Sequence, residues 1–82
     1  MIVLEFHSSE AFRRGTAILA AVGIPFGSEA PTMDFRPHLI WFFQDDIRSP
    51  GQRDALVRVR SLALNGRRRH ADLSVPNLAI PL

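Results

Sequence analysis

Two apolar stretches with the alternation of a β-strand each run straight into a capped amphipathic helix: residues 2–7 into 10–22, then residues 38–44 into 50–64. A strand feeding a helix twice in so short a chain leaves few ways to hide both apolar faces. The simplest is one small α/β sandwich with its helices on one side of a sheet.

The first strand is read from Ile2, Leu4 and Phe6 alternating with Val3, Glu5 and His7. Ser8 and Ser9 offer hydroxyl caps to the helix that follows, and Glu10 suits its positive end. Ala11, Phe12, Gly15, Ile18, Leu19 and Val22 fall on one stripe of that helix. Gly15 costs about 1 kcal/mol relative to Ala in a helix interior, so its expected use is a close approach to the sheet. Gly23 supplies a left-handed exit, and Pro25 prevents continuation.

Gly27, Pro31 and Pro37 interrupt any regular period between the first helix and the next strand. Residues 30–35 are read there as a short edge strand, since Pro31 cannot donate to a ladder and fits best at an edge. In the next strand Leu39, Trp41 and Phe43 point one way while Ile40 and Phe42 point the other, so both sides need cover. That pattern predicts a central strand. Ser49, Pro50 and Gln52 spell a capping box with Pro at the first helical position. Ala55, Leu56, Val59, Leu62 and Ala63 form the buried stripe of the second helix, and Asn65 with Gly66 is its expected end. Leu73 and Val75 alternate with Asp72 and Ser74 as a last strand.

The resulting order is βαββαβ, a ferredoxin-like α+β sandwich with two helices on one face of a four-stranded sheet. One domain spans residues 1–76, and the apolar tail 77–82 is placed against a partner. Under the crossover rule the reading makes the first and third strands parallel central neighbours. A chain of 82 residues hides only about 60–65% of the surface its unfolded form exposes. With 46% hydrophobic residues and no cysteine, added burial has to come from a partner, most simply a second copy.

The missing cysteines exclude disulfide frameworks and thiolate chemistry, and suit a reducing compartment. The apolar run 16–24 is too short to span a bilayer and lacks a basic leader, so no membrane role and a cytoplasmic location are expected. All ten basic residues are Arg, yet the net charge is only +2, less than a general nucleic-acid binder normally carries.

Phe6, Ser8, Glu10 and Ala11, followed by Leu19, Gly23, Ile24 and Pro25, give an F-x-S turn, an E-A helix and a G-I-P exit. This run resembles the opening of small prokaryotic signal-transducing proteins with a PII-like ferredoxin fold. The resemblance covers about the first third of the chain; the middle segment and the Pro-rich C-terminus depart from the family pattern. It implies a regulatory or binding role and carries over no catalytic residue.

Parallel first and third strands would bring His7, Ser8 and Ser9 beside Gln44, Asp45 and Asp46, at the sheet edge where α/β ligand sites form. Three chemistries are then open. His7, Asp45 and Asp46 form an N/O ligand set for a divalent metal, set against the plainer reading of a strand end and a solvated turn. Ser8, Ser9 and Gln44 could receive a small anion at the helix start, set against ordinary capping. Ser9 with His7 or His38 and Asp45 contains the parts of a hydrolase triad, in an order that matches no nucleophile elbow, so a non-catalytic chain is favoured and no cofactor is expected. Ile40, Trp41 and Phe42 are candidates for contact with a protein partner. Arg67, Arg68 and Arg69 are candidates for an acidic partner or nucleic acid, although a charge run after a helix more often complements its dipole. The overall expectation is a small regulatory or assembly module, with the arginine cluster and a metal-binding or enzyme subunit using His7 and Asp45 as alternatives.

Overall fold

A computed structural model describes residues 1–32 and 36–69 of the chain, with side chains described through residue 63. Strand β1 (Ile2–Phe6) buries Ile2, Leu4 and Phe6, leaves Val3 exposed and leaves Glu5 half-buried, as its alternation requires. Ser8 then caps helix α1 (Ser9–Ala21), its Oγ accepting the Ala11 N–H at 3.1 Å. Gly15 lies where α1 meets the sheet. A Cβ there would stand 3.2 Å from the Phe6 ring and 3.3 Å from Ile40 Cδ1, too tight without a shift.

The helix ends as its sequence demands. Gly23 takes φ 73°, its N–H reaches Ala20 O, and the Ile24 N–H reaches Leu19 O, both at 3.1 Å. Ile24 and Leu19 are both buried, which completes the left-handed stop with its usual apolar contact.

Strands β2 (Gly27–Glu29) and β3 (His38–Phe42) complete a three-stranded antiparallel sheet in the order β1-β3-β2. Ile2 lies opposite Phe42 and Phe6 opposite His38, while Gly27 lies opposite Trp41 and Glu29 opposite Leu39. β3 is central, as its two apolar faces predict. It runs antiparallel to β1, however, and this corrects the expected parallel pairing. The crossover through α1 makes β1 and β2 parallel, and β3 returns between them from an edge connection, so it must oppose both.

An edge strand forms at Gly27–Glu29, with residues 30–32 of the expected 30–35 strand beyond its end and residues 33–35 outside those described. Its position is fixed by Trp41, whose indole lies across Gly27 so closely that a Cβ there would collide with three ring atoms. Only a residue without a side chain fits under that ring.

A 3-10 turn (Gln44–Asp46) leads to helix α2 (Pro50–Arg69). The capping box forms in full: the Gln52 N–H donates to Ser49 Oγ at 3.1 Å and the Ser49 N–H to Gln52 Oε1 at 3.0 Å. Gln52 also donates from Nε2 to the Val22 carbonyl at 3.1 Å, joining the start of α2 to the end of α1. α2 continues through Asn65 and Gly66, where the sequence predicts a stop.

Both helices pack on the same face of the sheet. Ile2, Leu4, Phe6, Ile40 and Phe42 meet Leu19 of α1, Ile24, and Leu56, Val59 and Ala63 of α2 in one core. Among the described residues no helix is long and apolar enough to cross a membrane. The expected last strand at Leu73 and Val75, the boundary at residue 76 and the tail 77–82 lie outside the described residues.

Candidate functional site

The antiparallel register decides the fate of the expected ligand rim. His7 follows the Phe6–His38 end of the β1–β3 pair, whereas Gln44, Asp45 and Asp46 follow the Ile2–Phe42 end. Four residue steps of strand, about 13 Å, separate those ends before either group begins. The structure therefore brings together neither the metal set His7, Asp45 and Asp46 nor the anion set Ser8, Ser9 and Gln44. Among the described residues no group of three His, Cys, Asp or Glu side chains is placed to hold a metal ion.

Each half of the rim has local work instead. Ser8 is committed to its cap, and Ser9 is the first residue of α1. His7 Nε2 lies 3.6 Å from Glu5 Oε1. The turn at Gln44–Asp46 is held by backbone bonds, Asp46 N–H to Phe43 O and Ile47 N–H to Gln44 O, and by Arg48 Nε donating to the Asp45 carbonyl at 3.0 Å. Asp45 is thus far from Ser9 and from both histidines of the triad reading. His38 packs on Phe12 with ring centroids 4.8 Å apart, and Phe12 meets Phe6 edge-on at 6.3 Å.

The partner-facing set divides. Ile40 is 0% exposed and Phe42 is 1% exposed, so these two belong to the core and not to a docking surface. The correction follows from strand phase, since their neighbours across the ladder are the buried Leu4 and Ile2. Trp41 keeps its place on the opposite face. Arg67, Arg68 and Arg69 lie in the last turn of α2, and their side chains are outside those described.

That opposite face is where exposed apolar surface collects. Directly opposed residues share a side of an antiparallel sheet, so Val3, Trp41 and Gly27 form one row and Glu5, Leu39 and Glu29 the next. The extended backbone of Phe43 carries the alternation one step further, and Met1 precedes Val3 by two, which sets a third row beyond Val3 and Trp41. Met1 is 69% exposed, Phe43 59% and Val3 37%. Among the described residues only Val57, on α2, is another large hydrophobic residue so exposed. The face is polarised: two apolar rows at the Met1–Phe43 end, then a row with two carboxylates.

Met1 and Gly27 were absent from the sequence-derived face, whereas the alternation that buries Ile2 and Leu4 already assigns Val3 to it. Beside the edge strand, Glu29, Ala30, Pro31, Thr32 and Arg36 line a shallow concavity of about 360 Å³ with one acid and one base. Compared with known proteins, the chain matches no family, no curated protein and no solved structure.

Proposed function

We propose that this chain is a non-catalytic regulatory or assembly module that docks a protein partner on the open face of its sheet. The observation that carries this reading is the concentration of exposed Met1, Val3 and Phe43 on the face that neither helix covers. A contiguous apolar patch is a poor surface to leave in water and a good one to press against another protein. The sets that would have supported catalysis or metal chemistry, His7 with Asp45 and Asp46 and Ser9 with His38 and Asp45, are divided between opposite ends of the sheet.

The finer fold belongs to the same proposal. The βαββ order, the strand sequence β1-β3-β2 and two helices on one side agree with the first three strands of a ferredoxin-like sandwich. The resemblance to PII-like signal-transducing proteins, drawn from Phe6, Ser8, Glu10, Ala11 and the Gly23-Ile24-Pro25 exit, points to the same regulatory class.

Site-specific photocrosslinking tests the docking surface. A photoreactive residue at position 3 should capture a protein several times more efficiently than one at position 57, which is also exposed but lies on α2. Equal yields from the two positions would overturn the proposal.

A further inference from the structure

We infer that the outer surface of the helix layer, on the side away from the open sheet face, binds double-stranded nucleic acid through its phosphate backbone. The net charge of +2 conceals how the charge is placed. α1 and α2 together carry Arg13, Arg14, Arg53, Arg58, Arg60 and the arginine run 67–69 against two acids, Glu10 and Asp54, a net +6. The rest of the chain holds Arg36 and Arg48 against six acids, a net −4. A nearly neutral sequence is thus sorted into a basic helix layer and an acidic remainder, the segregation that a polyanion requires.

The basic layer is also uncommitted. Arg13, Arg14, Arg53 and Arg58 are exposed and Arg60 is half-buried. Glu10 and Asp54 stand one turn from Arg14 and Arg58, yet among the described residues neither acid is ion-paired to an arginine. Arg53 donates from Nη2 to the Arg48 carbonyl at 3.4 Å. Gln52 ties the start of α2 to the end of α1, and both helices cross the same face of the sheet, so they run in opposite senses. Counted back along α1 from that tie, Arg13 and Arg14 stand level with Arg60. Arg53 and Arg60 lie seven residues apart on one line of α2, and helix register carries that line on to position 67. Helix axes about 10 Å apart present two rows of charge at a spacing of the order of the grooves, about 6 and 12 Å wide, that separate the phosphate rows of a duplex.

Chemistry narrows the polyanion. Helices that bind an anionic membrane also sink bulky apolar side chains into it, and on these two helices Val57 is the one large hydrophobic residue so exposed among those described. An acidic protein would need the same kind of apolar anchor at the centre of its contact. Single strands are held by stacking on exposed aromatic rings, and the exposed aromatic residue among those described is Phe43, on the sheet side. A duplex needs neither anchor nor stacking platform. It offers fixed rows of phosphates to planar guanidinium forks.

The test titrates the intact chain onto a labelled DNA duplex of about 20 base pairs, read by fluorescence anisotropy between about 50 and 200 mM salt. With about four phosphates neutralised, affinity should fall on the order of 10²-fold across that range. Arg13→Gln and Arg58→Gln should each weaken binding several-fold and flatten the salt slope by about 0.9. Arg36→Gln removes the same charge from an exposed residue off the helices and should change neither. Circular dichroism checks the fold of each variant, and Arg14→Gln replaces either helix variant that fails. Absence of binding at about 50 mM salt, an affinity indifferent to salt, or equal losses from Arg58→Gln and Arg36→Gln overturns the inference. Tighter binding to one strand of the same sequence, or binding to phosphatidylserine vesicles in place of the duplex, overturns it as well. The sheet-face reading stands or falls separately, because position 3 and the helix arginines lie on opposite sides of the sheet.

Discussion

Phe42 is 1% exposed and Phe43 is 59% exposed, although they are consecutive and chemically identical. The difference comes from the strand's alternation and from what covers each side. Phe42 points where α1 and α2 close over the sheet, and Phe43 continues the face that neither helix reaches. The contrast teaches that hydrophobicity alone does not locate a core. A residue is buried when an element arrives to cover it, and here both elements arrive on the same side.

Truncating the pair gives the most direct way to break this contrast. Phe42→Ala should cost about 3–5 kcal/mol, most of the stability of so small a domain, whereas Phe43→Ala should cost less than about 0.5 kcal/mol. Urea denaturation of both variants measures the difference. Equal losses would mean that the assigned phase of β3 is wrong.

A smaller effect separates two glycines. Gly27→Ala places a methyl under the Trp41 indole and should cost about 1–3 kcal/mol, with Trp41 emission moving to longer wavelength as the ring is displaced. Replacing Trp41 with Val in the same chain should recover part of that loss. Gly23→Ala meets no atom within 4 Å, and its φ of 73° is the only penalty, about 1 kcal/mol. If Trp41→Val fails to relieve Gly27→Ala, the ring is not what requires the glycine. The smallest effect is expected at the second cap, where Ser49→Ala should remove about 1 kcal/mol and lower the midpoint of thermal unfolding by a few degrees.

The features legible in the sequence are those decided by residues close together in it. The Ser8 cap, the Gly23 exit, the Ser49–Gln52 box and the stripe from Ala55 to Ala63 all follow from chemistry within a few positions. The features that escaped are set by distant partners. Nothing within β3 records whether β1 runs with it or against it, and that one orientation decided the fate of the ligand rim at His7 and Asp45. The edge strand escaped for a related reason. Gly-Ser-Glu has little preference for extended structure, and its place in the sheet depends on an indole ring fourteen positions further along. The proposed partner surface was readable only in part: Trp41 lies on the open face, while Ile40 and Phe42 were drawn in by their bulk.

The bond from Gln52 Nε2 to the Val22 carbonyl makes one side chain serve two helix ends thirty residues apart. When the last turn of α1 frays, the glutamine loses an acceptor and its hold on the Arg48 and Ser49 amides slackens; when the first turn of α2 opens, the carbonyl is released in its turn. The two termini therefore breathe together. Amide hydrogens around Gly23 and around Arg53 should exchange with deuterium at matched rates, and Gln52→Ala should let each keep its own time.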